Sequence, residues 1–147
     1  MIWLLRHAEA AEGSPDAERE LTKKGEKQAK NAGLALKTLG VKPEACFTSP
    51  KVRAADMAKL ACEQLGVDVT PEPALAGGPF DPGELAAGRR EVLLVGHDPD
   101  FSQAIRDTTG AGVQMKKGAL AGIEGNELKV LLRPKELKAL AGTRANA

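Results

Sequence analysis

The chain has 147 residues, and 21 Lys and Arg against 20 Asp and Glu leave a formal net charge of +1. So close a balance excludes attraction to nucleic acid or to an anionic membrane through bulk charge. The length suits one domain over 1–147 with a core of its own.

Strand and helix signals alternate along the chain, the pattern of a mostly parallel sheet covered by helices. Ile2-Trp3-Leu4-Leu5 opens a first strand over 2–6, and Arg6 and His7 interrupt the apolar run too early for a signal peptide. The polar stretch 9–20, with Gly13, Ser14 and Pro15, reads as a loop. Thr22 is placed to cap a helix with the apolar face Ala29, Ala32, Leu36 and Leu39, ended by Gly40. Ala45-Cys46-Phe47-Thr48 is a short second strand. Ser49-Pro50 opens the next helix, with Ser49 as cap and Pro50 in the first position, where a missing N–H costs nothing. Ala54, Ala58, Ala61 and Leu65 line one face of that helix, and Gly66 stops it. An edge strand is expected at 67–69. Residues 71–88, rich in Pro, Gly and Ala, read as a loop with at most one short helix near 82–87, leaving an open site beside it.

A buried strand over 91–95 leads to His97, and a helix follows from Asp100. Residues 119–123 and 128–132 form a hairpin at the sheet edge, turning at Gly125-Asn126. Pro134 begins a last helix, and the tail loosens from about 142. The basic lean of 129–144 reads as a solvated face. Cys46 and Cys62, in apolar settings and without metal-ligand spacing, read as buried thiols of a reducing compartment. No stretch is long enough to span a bilayer, so a cytoplasmic location is expected.

The chain's two histidines carry the functional signal. His7 follows the first apolar run with Arg6 attached, and His97 follows Val92-Leu93-Leu94-Val95 with only Gly96 between. In open α/β sheets ligands bind at the C-terminal ends of the strands, so both imidazoles are expected in one crevice. Arg53, on the first turn of the helix after the second strand, reaches the same edge. Gly96 is expected to let the backbone bend there. Two guanidiniums grip phosphate oxygens bidentately, and helix starts near Thr22, Ser49 and Asp100 add backbone N–H donors. Phosphoryl transfer, where positioning and charge stabilisation supply most of the catalysis, suits this set.

Leu5-Arg6-His7-Ala8-Glu9 resembles the Arg-His-Gly signature of the histidine phosphatase superfamily, which also holds the cofactor-dependent phosphoglycerate mutases. Thr48-Ser49-Pro50 with Arg53-Ala54 is similar to its second arginine motif, and Val95-Gly96-His97 to its second-histidine motif. Arg19-Glu20-Leu21-Thr22-Lys23-Lys24-Gly25 resembles a further element, an arginine before a Leu-Thr-x-x-Gly helix start. The four occur in the family's order, and the short chain looks most like the SixA-type phosphohistidine phosphatases. The resemblance implies a three-layer α/β/α, phosphoglycerate mutase-like fold, with a mostly parallel central sheet and helices on both faces. It implies His7 as a nucleophile that becomes phosphohistidine, Arg6 and Arg53 as clamps on the phosphoryl oxygens, His97 as donor to the same group, and Arg19 as an added phosphate or substrate contact. No cofactor and no metal are implied, and the partner is a phosphohistidine-bearing protein, such as a phosphotransfer domain, or a small phosphate ester.

Ala8 replaces the family's glycine, a change small enough for the turn to survive. A proton donor for the leaving group is less marked: Glu9, Asp81 and Glu84 are the candidates, each also readable as a solvated carboxylate. A weak acid hinders release of an alkoxide but matters less for a labile P–N bond. Two other readings stay open. His7 and Glu9 with His97, Asp98 and Asp100 offer N and O ligands for a metal-dependent phosphohydrolase, although the arginines would repel the ion. A non-catalytic phosphate-binding module would use the same scaffold.

Overall fold

The computed structural model describes residues 1–145, with the side chains of 144 and 145 left aside. Six strands form one sheet: β1 (Ile2–Arg6), β2 (Ala45–Thr48), β3 (Val69–Pro71), β4 (Val92–Gly96), β5 (Leu120–Glu124) and β6 (Glu127–Leu132). Their order is β3-β2-β4-β1-β5-β6. β1, β2, β3 and β4 run parallel, and the β5–β6 hairpin joins antiparallel through β5 to β1. The helices are α1 (Lys23–Thr38), α2 (Val52–Leu65), α3 (Pro82–Ala86), α4 (Asp100–Thr109) and α5 (Pro134–Ala145), with 3-10 turns at Asp16–Glu18 and Pro73–Ala76. The alternation of side chains along the strands splits the core in two. Trp3, Leu5, Cys46, Leu93, Val95 and Leu120 meet α1, α2 and α5 on one face. Leu4, Val92, Leu94, Ala121 and Ile123 meet α3 and α4 on the other, through Ala86, Phe101 and Ile105. This is the three-layer α/β/α fold, phosphoglycerate mutase-like, that the motif order implies.

β4 is buried along its whole length, as a central parallel strand must be. Thr22 caps α1 by accepting from the Gly25 N–H. Ala29, Ala32 and Leu36 of that helix are buried, whereas Leu39, expected on the same face, is 42 % exposed because the helix ends there.

Several boundaries differ from the sequence reading. α2 begins at Val52 with Lys51 at its cap position, so neither Ser49 nor Pro50 plays its expected helix-start role. The Ser49 hydroxyl accepts from the Lys51 N–H and is drawn into the site below. β3 starts at Val69 rather than 67, because the Val67 N–H still bonds the Cys62 carbonyl of α2. Segment 71–88 is anchored: Leu75 and Ala86 are buried in the second core. α5 runs on through Ala145, where a loose tail was expected from 142; residues 146 and 147 lie outside the described residues. From the basic C-terminal stretch, Lys135 and Lys138 join Lys24 and Lys27 along an α1–α5 groove of about 320 Å³. No helix among the described residues is long and apolar enough to cross a membrane.

Gly25 is held by close approach: a Cβ there would land on the Glu9 carbonyl oxygen, which accepts from the Thr22 N–H. Ala suits a helix better than Gly by about 1 kcal/mol, so a gain on Gly25→Ala would be expected from propensity alone. The expected outcome is instead a loss of about 1–3 kcal/mol from overpacking against backbone, read from the urea midpoint. An unchanged or raised midpoint would mean that the loop after His7 yields freely.

Candidate active site

Arg6 of β1 pairs with Gly96 of β4, so His7 and His97 both emerge one residue past the end of the same parallel ladder. The His7 N–H donates to the Gly96 carbonyl at 3.0 Å, and the Ser49 N–H donates to the Val95 carbonyl at 2.9 Å. Three adjacent strand ends thus deliver His7, His97 and Ser49 together. The two imidazoles stand edge to face, with centroids 5.2 Å apart, and both are more than nine-tenths buried. Gly96 is needed for space rather than for a sharp bend. A Cβ on it would come within 2.9 Å of the Phe101 ring, whose packing holds α4 against the strand end.

His7 Nδ1 lies 2.8 Å from the Ala8 carbonyl oxygen. A carbonyl only accepts, so Nδ1 carries the hydrogen and Nε2 keeps its lone pair. Arg53, buried on the first turn of α2, donates from Nε toward that Nε2 at 3.4 Å. Ala8 in place of glycine is fully buried, and its N–H meets the Met57 sulfur at 3.0 Å, so the turn is intact.

Ser49 Oγ and His97 Nε2 are 2.7 Å apart. Arg6 donates from Nη1 to the Met115 carbonyl at 2.6 Å. Two buried side-chain atoms among the described residues have no hydrogen-bond partner, and both belong here: Arg6 Nε and His97 Nδ1. Leaving such a group unpaired costs about 1–3 kcal/mol.

Burial, and then the positive charge around them, keeps the imidazoles neutral. The His7 pKa falls to about 4, through desolvation first and then Arg53, Arg6 and Lys117, against the Ala8 carbonyl, which raises it. That of His97 falls to about 3, through desolvation, then His7, Arg53 and Lys51. The arginines thus contribute, but less than burial.

The other sequence candidates lie elsewhere. Arg19 spends its guanidinium on the Ala11 carbonyl (2.8 Å) and the Asp16 carboxylate (3.0 Å), so its tie to the site runs through Asp16 and Arg53. Glu9 accepts from the Thr22 hydroxyl at 3.1 Å and faces Lys24. Asp81 caps α3 through the Gly83 N–H, and Glu84 is exposed on that helix. The carboxylate that does reach the site, Asp16, went unremarked in the sequence. It bonds Arg53 Nη2 at 3.1 Å, and its pKa is held down to about 2 by hydrogen bonds from Arg19 and Arg53. Its spacing of three residues before Arg19 was the signal that could have found it.

No three His, Cys, Asp or Glu side chains among the described residues converge as a metal-ligand set. Asp98, a ligand in the metal reading, instead accepts from the Ser102 hydroxyl and N–H.

Comparison with known proteins identifies the family and the fold. The model of the histidine phosphatase superfamily (branch 1) matches residues 2–85. An uncharacterised protein of Picosynechococcus sp. (strain ATCC 27264 / PCC 7002 / PR-6) is 32 % identical over an alignment 165 positions long, covering 92 % of this chain and 98 % of that one. The chain belongs to the histidine phosphatase superfamily. Among solved structures, the protein histidine phosphatase SixA complexed with tungstate superposes with a TM-score of 0.82 at 23 % identity, over 93 % of this chain and 99 % of that one. A protein of Agrobacterium tumefaciens provisionally named as the phosphohistidine phosphatase SixA gives a TM-score of 0.79 at 21 % identity, over 90 % and 97 %. The mycobacterial glucosyl-3-phosphoglycerate phosphatase with inorganic phosphate gives 0.70 at 16 %, over 91 % and 98 %. The fold is thus SixA-like, and the activity class is that of a phosphatase.

With two histidines in the chain, proton NMR reads the site's protonation directly. His7 is expected to titrate near 4 and His97 near 3. An unfolded histidine takes up its proton near 6.5, roughly its unperturbed value, so the folded state loses stability as pH falls from about 6.5 toward those values. The urea midpoint should therefore drop over that window, and less steeply in His97→Gln. Imidazole midpoints near 6.5 would overturn the reading.

Proposed function

We propose that the chain is a metal-independent phosphohistidine phosphatase acting through a covalent intermediate on His7. The observation that carries the reading is the pair of unpartnered buried groups, Arg6 Nε and His97 Nδ1, beside an imidazole whose hydrogen sits on Nδ1 and whose Nε2 keeps its lone pair. A phosphoryl group bonded to His7 Nε2 offers oxygens to both and to Arg53. When the Ser49 hydroxyl donates to His97 Nε2, the neutral His97 ring carries its hydrogen on Nδ1, ready to donate to a phosphoryl oxygen. Preorganised donors of this kind stabilise the charge that spreads over the equatorial oxygens in the transition state.

In the first step His7 Nε2 attacks phosphorus while the substrate's P–N bond breaks, and the protonated imidazole of the substrate departs as a neutral ring. Water then attacks the phosphorus on His7, the second P–N bond breaks, and inorganic phosphate leaves. Neither departure needs a carboxylic acid. Asp16, whose carboxylate meets Arg53, is held ionised and is unsuited to protonate an alkoxide. The separate engagements of Glu9 and Asp81 favour the phosphoramidate substrate in the same way. A protein carrying phosphohistidine, such as a phosphotransfer domain, is the partner this reading names, in the cytoplasm.

A small phosphate monoester is the second reading, favoured by the likeness to the glucosyl-3-phosphoglycerate phosphatase. It predicts comparable turnover on sugar phosphates.

Phosphate release from a phosphohistidine-carrying protein in excess EDTA tests the proposal. Wild type is expected to release phosphate, His7→Ala to release none, and Arg53→Ala to lose about 10²–10³ in kcat, as for removal of one transition-state donor. Release by wild type that EDTA abolishes would replace His7 as nucleophile with a metal-bound water.

A further inference from the structure

The Arg53 guanidinium is shared between two neighbours. Nε donates to His7 Nε2, while Nη1 donates to the Asp16 carbonyl at 2.8 Å and Nη2 to the Asp16 carboxylate at 3.1 Å. Asp16 also meets Arg19 Nη1 at 3.0 Å and Lys51 Nζ at 3.7 Å. One carboxylate thus lies among three cations, a single guanidinium away from the nucleophilic nitrogen. Apolar packing does not hold it there. The Asp16–Glu18 turn buries no residue, and the Asp16 side chain is 56 % exposed, against 8 % for Arg53.

Such a carboxylate occupies an anion position. The same three cations would suit the second charged group of a small phosphate ester, a carboxylate or another phosphate, with the reacting phosphorus at His7. Asp16 pre-empts that place and repels a second anion from it. A phosphoryl group borne on an imidazole carries no second anion and leaves the Asp16 contacts standing.

We propose that Asp16 is a specificity-determining residue, whose carboxylate fills the second anion position beside His7 and discriminates against phosphate esters bearing a further anionic group. The inference rests on the phosphohistidine reading and adds the feature that rejects competing small molecules. Because hydrogen bonds from Arg19 and Arg53 hold the Asp16 pKa down to about 2, the discrimination operates throughout the neutral range.

The test is calorimetric binding of 3-phosphoglycerate and of glycerol 3-phosphate, two esters that differ by a carboxylate, to wild type and Asp16→Asn at low ionic strength. Asn keeps the size of the side chain and the carbonyl bond to Arg53 while removing the charge. The 3-phosphoglycerate affinity is expected to rise about tenfold or more, the scale of removing one like charge near a partly screened anion site, and that of glycerol 3-phosphate less than about threefold. Equal gains for both would mean that Asp16 competes for the phosphoryl position itself, and no gain or a loss would mean that it only braces Arg53; either result overturns the proposal. Asp16→Ser, melted and titrated alongside, separates a charge effect from a folding defect. Binding needs no turnover, so this result is independent of whether phosphohistidine is hydrolysed, which the EDTA assay decides.

Discussion

The site depends on the register between two parallel strands. Arg6 of β1 lies opposite Gly96 of β4, and the His7 N–H continues the ladder by bonding the Gly96 carbonyl. Side chains alternate faces along a strand, so a slip by one residue would exchange the buried sets of both core layers. The buried runs Trp3-Leu4-Leu5 and Val92-Leu93-Leu94-Val95 oppose that slip from both faces at once. Burying each such side chain contributes roughly 1.5–3 kcal/mol. The same burial that stabilises the sheet therefore brings the two imidazoles together and orders the strand ends around them.

This rigidity lets the active centre carry unfavourable features. Two neutral imidazoles sit among arginines, and two buried polar atoms lack partners. On a free surface loop water would satisfy them; they are costly here because they are buried, and the strand ends leave little room to relax. Phe101 against Gly96, and Met57 against the Ala8 N–H, close the space behind the histidines. In the proposed mechanism, the groups left without partners are those that would meet a phosphoryl group, as in a preorganised electrostatic site.

Carboxylates divide the remaining work. Glu9 is fastened to Thr22 at the start of α1, Asp81 to the start of α3, and Asp98 to Ser102 of α4, each serving a turn or helix start. Asp16 is turned toward the cationic cluster, and there it is an anion rather than an acid. In the proposed function, leaving-group chemistry falls to the lability of the substrate's own bond, and charge selection falls to Asp16.

The elements and the four central residues were legible because their signals are local. Apolar runs that end in Arg6-His7 and Gly96-His97 mark buried strands with polar ends, and the Thr22 cap and the Ala-rich faces of α1 and α2 follow helical spacing. Their family order along the chain then pointed to one phosphoryl site. What the sequence could not carry were choices made between distant segments. Ser49 left its expected cap position because His97, 48 residues away, claims its hydroxyl. Arg19 turned to Asp16, and Asp16 reached Arg53 across 37 residues, because a loop without buried residues is placed by the ion pairs it finds. The tautomer of His7 and the depressed pKa values of both histidines likewise exist only once strand ends, carbonyls and cations have been gathered in a buried place. Local patterning determined which residues stand at the edge of the sheet; tertiary packing decided which of them touch, because hydrogen bonds and charges act through space and not along the chain.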